Sequence, residues 1–157
     1  MTKIEELELA RSDDESIRSI LAQNQDTSME TLDILSDDQS QFVRMRVAAN
    51  INTSSEILDK LSKDESEYVR EFVAEHLNTS LDALLKLSND GLMTYWIAGN
   101  PNTPVGLLNK FCEHEDANIR ASVAVNPSTP VATLEKLSQD ENEDVRAAVT
   151  KNPNKMR

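Results

Sequence analysis

Five arginines recur along this 157-residue chain, each directly after Ile or Val. Stacked guanidinium groups could hold a carboxylate or phosphate ligand, because Arg presents its donors in a planar fork. The alternative is an ion pair between each Arg and a recurring Asp of its own or an adjacent repeat. We favour the ion pair, since a ligand site rarely needs the same residue in every repeat. The arginines are Arg18, Arg44, Arg70, Arg120 and Arg146, and the aspartates are Asp38, Asp64, Asp90 and Asp140.

The other candidate ligands are the single cysteine Cys112, His114 two residues later, and the distant His76. A zinc site needs three or four well-spaced ligands, which this set does not supply. Each of the three stands where equivalent positions of other repeats carry Ser, Asp or Asn, so we predict structural roles. We expect no metal and no cofactor. The sequence also lacks a Ser–His–Asp arrangement and a Gly-rich phosphate loop, so we expect no enzyme activity.

These residues belong to a repeat whose register is clearest at an Asn position. The step between equivalent positions is 26 residues, except for a step of 24 residues around Gly91, where Thr94 replaces the recurrent Arg. We predict that each Asn side chain satisfies backbone groups of a turn between helices. The Asn positions are Asn24, Asn50, His76, Asn100, Asn126 and Asn152.

Each repeat is predicted to contain two short helices. The first begins at a recurrent Thr, with capping boxes at Thr27 and Thr53, and with the proline of Thr103-Pro104 at the first helical position. The second begins near Asp38, Asp64 or Asp140, again in a capping-box pattern. Helices of roughly 8–10 residues are unstable alone, so stability must come from stacking between repeats.

The predicted fold is therefore all-α, a solenoid of short paired helices with about 26 residues per repeat. We expect a single array over residues 1–157. Residues 1–11 form an N-terminal capping helix, about 12–152 form five to six repeats, and 153–157 form a tail.

The composition is acidic, with a formal net charge of −12. Residues 1–90 hold 20 acidic and 9 basic side chains, whereas residues 91–157 hold 8 and 7. Nucleic-acid binding requires Lys and Arg to neutralise phosphates, so we expect none. No apolar run is long enough for a membrane span, and a single cysteine fits a reducing, cytoplasmic setting. The acidic part either attracts a basic protein partner or only keeps the chain in solution.

The repeat from Ile119 to Leu137, Ile-Arg-Ala-Ser-Val-Ala-Val-Asn-Pro-Ser-Thr-Pro-Val-Ala-Thr-Leu-Glu-Lys-Leu, resembles the bacterial leucine-rich repeat variant family. The resemblance covers roughly residues 12–154. It implies alternating α and 3₁₀ helices in a right-handed superhelix. The Val-Arg-x-x-Val-Ala segments also resemble HEAT repeats, which are binding scaffolds. One family member carries an iron–sulfur cluster on an N-terminal cysteine cluster, which this sequence does not contain.

The positions that vary between repeats are the candidate binding residues. On the second helix they become apolar or aromatic around the middle repeats, which is typical of a protein-binding face. The alternative is that these rings fill the space left by the two-residue deletion. The predicted protein-binding residues are Phe42, Arg46, Tyr68, Phe72, Tyr95 and Trp96.

We therefore predict a non-enzymatic scaffold that binds another protein, as a monomer or an end-to-end homodimer. Two alternatives remain open. The chain is a structural spacer that acts through its ends, or its acidic face mimics nucleic acid and occupies a basic protein.

Overall fold

The structure, a computed structural model, describes residues 2–156, and within that range it contains helices and turns but no strand. The chain divides into two compact units, residues 1–83 and 84–157, and the boundary falls within the seventh helix. The α-helices are α1 (Lys3–Leu9), α2 (Glu15–Gln23), α3 (Met29–Leu35), α4 (Gln41–Ala49), α5 (Ser55–Leu61), α6 (Glu67–Glu75), α7 (Leu81–Leu87), α8 (Thr94–Gly99), α9 (Val105–Phe111), α10 (Ala117–Val125), α11 (Val131–Leu137) and α12 (Glu143–Thr150).

The predicted all-α architecture of paired helices is confirmed. Complete repeats pair a seven-residue first helix, such as α3, with a nine-residue second helix, such as α4. In the first unit, α4 packs against α2 and α6, and in the second unit α10 packs against α8 and α12. Val43 and Val47 of α4 and Leu58 of α5 are fully buried. Helices this short are stable only because neighbouring repeats bury their apolar sides.

The predicted capping boxes at the recurrent Thr are wrong by one residue. Ser28 and Ser54 cap α3 and α5, and their hydroxyls accept from the N–H of the third helical residue. The Thr before each cap is buried, and its hydroxyl donates to the carbonyl six residues earlier, as in Thr53 to Val47 at 2.5 Å. Pro104 and Pro130 likewise stand at the cap and not at the first helical position.

The second helices also begin later than predicted. Ser40, Ser66 and Asn142 precede them as caps, two residues after the aspartates that were expected there. Those aspartates accept the N–H of the capping residue and are held by arginines. A complete capping box occurs at the start of α1, where the side chains of Thr2 and Glu5 accept each other's backbone N–H.

The 3₁₀ helices do not alternate with α-helices as the family resemblance implies. In the described part of the chain they span only Gly91–Met93 and Pro153–Met156. The first lies where two residues are missing from the repeat, and it shortens α8 to six residues. The second lies in the predicted tail. Met1 and Arg157, which the predicted boundaries include, lie outside the described residues.

Candidate protein-binding face

The recurrent arginines join consecutive repeats through ion pairs with aspartates, and we call each such Arg–Asp pair the clamp. Arg44 on α4 donates from Nε and Nη2 to the two carboxylate oxygens of Asp64, at 2.6 and 2.9 Å. Its Nη1 donates to the carbonyl of Asp38, at 2.8 Å. Arg18–Asp38 and Arg120–Asp140 repeat this geometry, 20 residues apart in each case. Every donor nitrogen of Arg44 is thus used inside the protein, so the predicted ion pair is confirmed over the ligand alternative.

The surroundings of Asp64 and Asp140 favour the ionised carboxylate. At Asp140 the hydrogen bond from Arg120 outweighs burial and, with the N–H of Asn142, lowers the pKa below the ordinary 3.8. At Asp64 burial is the largest influence and opposes ionisation. The bonds from Arg44 and from the N–H of Ser66 together exceed it, so the pKa of Asp64 is also lowered. The side chains of Asp64 and Asp140 are only 6% and 9% exposed, so these ion pairs are part of the protein interior.

The recurrent asparagines join each repeat to the one before it. Asn126 donates from Nδ2 to the carbonyls of Ala98 and Asn100, each at 2.8 Å, while its Oδ1 accepts the N–H of Ser128. Asn50 and Asn152 make the same set of bonds. The prediction that these amides satisfy turn backbone groups is confirmed, and the acceptors lie in the preceding repeat.

The two histidines copy the bonds of the residues they replace. His76 accepts the N–H of Asn78 at Nδ1, and its Nε2 lies 2.9 Å from the carbonyl of Asn50. His114 accepts the N–H of Asp116, as an Asp at that position would. Cys112 Sγ lies 3.1 Å from the carbonyl of Asn109, which matches the Ser hydroxyls of other repeats. Burial raises the pKa of that thiol. We find no cluster of three or more metal-ligating side chains within residues 2–156.

In the first unit, the predicted rings Phe42 and Tyr68 lie together on the surface. They are 57% and 55% exposed and, with Gln41 and Met45, line a depression of about 320 Å³ between α4 and α6. We call this the first depression. The interpretation that such rings fill a packing gap fails for these two residues, because more than half of each side chain meets solvent.

A second depression of about 360 Å³ lies one helical turn further along the same helices. It is lined by Ala48, Ala49, Ile51, Phe72, Glu75, His76, Leu77 and Asn78. Phe72 is half-buried here, and Arg46 is exposed beside Ala49 and Ile51 on the side facing α2. Three of the predicted residues, Phe42, Tyr68 and Phe72, thus line one groove, and Arg46 lies at its border.

Two groups of groove residues were missed by sequence reasoning. Ile51 and Leu77 are 60% and 62% exposed and widen the second depression. They occupy the position that is Pro in the later repeats, so an apolar residue there was an available signal. The second is Glu75, which lines the same depression and ends the row Glu67, Glu71 and Glu75 on one side of α6.

In the second unit, Tyr95 and Trp96 lie on α8 and contact each other edge to face. Their ring centroids are 5.2 Å apart and the ring planes meet at 85°. Tyr95 is 46% exposed, and Trp96 is half-buried. The equivalent face of α10 and α12 carries small or polar residues, among them Asn118, Ala121 and Ser122. Among the second helices of the second unit, α8, α10 and α12, only α8 carries aromatic residues.

Comparisons with known proteins agree with this architecture. Residues 117–142 match the family described as leucine rich repeat variant. A solved structure, described as a leucine-rich repeat variant with a novel repetitive protein structural motif, is similar in fold, with a TM-score of 0.65 and 23% identity. The alignment covers 92% of this chain and 59% of that chain, so the present chain spans well under two thirds of it. A search of curated proteins found no match. None of the helices in residues 2–156 is long and apolar enough to cross a membrane. The family match over residues 117–142 and the fold match confirm the predicted resemblance, and the chain folds as an all-α helical repeat protein.

Proposed function

We propose that this chain is a non-enzymatic scaffold that binds a protein segment on the face formed by its second helices. The observation that carries the proposal is the first depression, whose rings Phe42 and Tyr68 are more than half exposed. Exposed aromatic side chains beside a pocket are typical anchors for a partner. Residues 1–83 hold 19 acidic and 8 basic side chains, so this unit favours encounter with a basic partner.

The buried and the exposed residues of α4 have different roles, which supports this assignment. Val43 and Val47 are buried in the core, and the buried Arg44 forms the ion pair with Asp64. Phe42 and Met45 alternate with them on the side that faces solvent and the groove. Because the fold does not use the exposed ring of Phe42, its removal should affect binding more than stability.

The test compares folding with partner capture for the double variant Phe42→Ser/Tyr68→Ser. Thermal unfolding should stay within a few degrees of wild type, since both rings are largely exposed. Proteins cross-linked to the tagged chain in its own cells, counted by quantitative mass spectrometry, should lose at least one specific partner. The matched control is Met29→Ser, which removes a 62% exposed apolar side chain from α3 in the same unit. An unchanged set of partners for the double variant would refute binding at this face.

A second candidate function is assembly through the edge that α12 presents. Arg146 donates from Nη1 to the carbonyls of Asp140 and Glu141, but in the described residues no carboxylate pairs with it. The equivalent Arg120 holds Asp140 with two further bonds. A guanidinium with free donors suits a carboxylate from a further repeat unit or a second copy of the chain. Sedimentation of wild type and Arg146→Ala over a range of concentrations tests this: equal, purely monomeric behaviour of both excludes self-assembly at this edge.

A further inference from the structure

The groove between α4 and α6 offers two apolar depressions at a fixed spacing. Tyr68 lines the first and Phe72 lines the second, four residues later on α6. Met45 and Ala49 make the same step on α4. Since a helix rises 1.5 Å per residue, Tyr68 and Phe72, which line one depression each, are about 6 Å apart along α6. A partner that contacts both rings therefore places two apolar side chains about 6 Å apart on one side of its backbone.

An α-helix meets that requirement without leaving backbone groups unpaired. Its side chains at positions i and i+4 lie on one face, about 6 Å apart along the axis. An extended segment would bring free N–H and C=O groups into a groove whose walls are helices with satisfied backbones. The first depression offers only the amide of Gln41 as a polar side chain from its lining, apart from the Tyr68 hydroxyl. Unpaired backbone groups are costly there, so the groove selects a helix.

The charges around the groove define the rest of the partner. Glu67 and Glu75 are exposed and Glu71 is half-buried, and within the described residues no Lys or Arg forms a salt bridge with any of the three. Glu75 also lines the second depression. Arg44, by contrast, has its donors engaged in the clamp. Glu75 therefore places in the groove a carboxylate that has no basic counterpart among the described residues, within a unit that holds 19 acidic and 8 basic side chains.

We propose that the groove between α4 and α6 binds an amphipathic helix that carries two apolar side chains one turn apart and a flank of Lys or Arg facing α6. This inference rests on the proposed function of the same face and adds the chemistry of the partner. The apolar pair occupies the first and second depressions, and the basic flank meets Glu75.

The test selects binders from a phage-displayed library of random peptides of about 16 residues, long enough for a short helix, on the immobilised full chain. We expect enriched peptides with apolar residues at i and i+4 and an excess of Lys and Arg. Synthetic copies, measured by fluorescence anisotropy, should bind Phe42→Ser/Tyr68→Ser at least about 30-fold more weakly, as expected for loss of anchor residues. Binding to Glu75→Lys should weaken roughly fivefold and should depend less on salt. Binding to Met29→Ser should be unchanged.

The outcomes separate the two proposals. Enriched peptides that need Phe42 and Tyr68 but are neutral, acidic or proline-rich overturn the helix inference and leave the binding face standing. Circular dichroism supplies a second criterion, because a peptide that gains no helix on binding also overturns the inference. Both proposals are overturned if the enriched peptides bind the Phe42→Ser/Tyr68→Ser variant as tightly as they bind wild type. They are also overturned if selection on wild type enriches no peptide that selection on this variant does not enrich.

Discussion

The helix pair α4 and α6 in the first unit and the pair α10 and α12 in the second unit share a scaffold and differ on their faces. Arg44–Asp64 and Arg120–Asp140 are joined by two bonds each, with lengths of 2.6–2.9 Å and 2.7–2.9 Å. The positions that vary between repeats, however, are aromatic or long in the first pair and small or polar in the second. They are Phe42, Met45, Arg46, Tyr68 and Phe72 against Asn118, Ala121, Ser122, Asp144 and Ala148.

This difference separates the residues that hold the repeats together from those free to serve a partner. A buried ion pair with bidentate geometry tolerates little change, because removal of one partner leaves an uncompensated charge. The face positions carry no such constraint, so they vary. The repeat around α8 shows what happens when the constraint is lifted. Thr94 stands at the Arg position of one pair and His114 stands at its Asp position. Because both members of the pair are replaced, neither charge is left buried alone.

The shortened connection explains that joint replacement. In intact repeats the Arg also donates to the carbonyl six residues before it, as Arg120 does to His114. Two residues are missing before Thr94, so the sixth residue before it is Ser88, at the end of α7, and no longer the Asp position. An Arg at position 94 would therefore not have the Asp-position carbonyl at the spacing used in intact repeats, and an Asp at position 114 has no Arg to pair with.

The largest effect is expected from removal of the clamp. Arg120→Ala should lower the free energy of unfolding by about 3–5 kcal/mol, because Asp140 stays buried without its partner. Arg44→Ala should cost a similar amount, which is the direct test that the two regions share one scaffold. Urea denaturation followed by circular dichroism measures both. Arg46→Ala, on the exposed face, is the control and should change stability by less than about 0.5 kcal/mol. A clamp variant as stable as that control would show that the ion pair is not what joins the repeats.

A smaller loss is expected from Asn126→Asp. The carboxylate keeps the size of the amide and can still accept from Ser128, but it cannot donate to the carbonyls of Ala98 and Asn100. The carbonyl of Ala98 then loses this donor, whereas that of Asn100 still accepts the N–H of Thr103, so the cost should be about 1–3 kcal/mol. The same denaturation experiment measures it. Asn118→Asp on the face of α10 is the matched control, and an equal response of both variants would contradict a role for Asn126 between repeats.

Acid should weaken the clamp in a defined direction. The pKa of Asp140 is lower in the folded protein than its ordinary value of 3.8. Its ionised form therefore stabilises the fold fully above that value, and the contribution is lost as pH falls from 3.8 through the folded pKa. The stability difference between wild type and Asp140→Asn should be constant near neutral pH and shrink below about pH 4. A difference that grew on acidification would show that the carboxylate is not stabilised by Arg120.

The sequence was sufficient for the scaffold because each scaffold residue recurs. The Arg–Asp pairing, the paired helices and the structural roles of His76, His114 and Cys112 all follow from comparing equivalent positions. The helix starts were misplaced because Thr and Ser are adjacent and both favour caps. Only the structure distinguishes the buried Thr53, which donates to a carbonyl, from Ser54, which caps α5.

The face was harder to predict, because its residues do not recur. The aromatic positions could be picked out, but whether a ring is exposed depends on the neighbours that surround it. Phe42 and Phe72 occupy equivalent helices, yet the first is exposed and the second half-buried. Ile51 and Leu77 were missed since the helical pattern ends before them, and their role comes from the turn that brings them beside Phe72.

The smallest effect is expected when face residues are exchanged between equivalent positions of the two regions. Phe42→Asn gives α4 the residue that α10 has, and Asn118→Phe gives α10 the ring. Phe42 is 57% exposed and Asn118 is also exposed, so each change should alter the free energy of unfolding by less than about 1 kcal/mol. Thermal and urea unfolding of the two variants measure this. A larger loss for Phe42→Asn would mean that the ring stabilises the fold, and the difference between the two faces would then be a matter of packing. If both variants fold like wild type and only Phe42→Asn weakens binding of the selected peptides, the two regions differ in recognition alone.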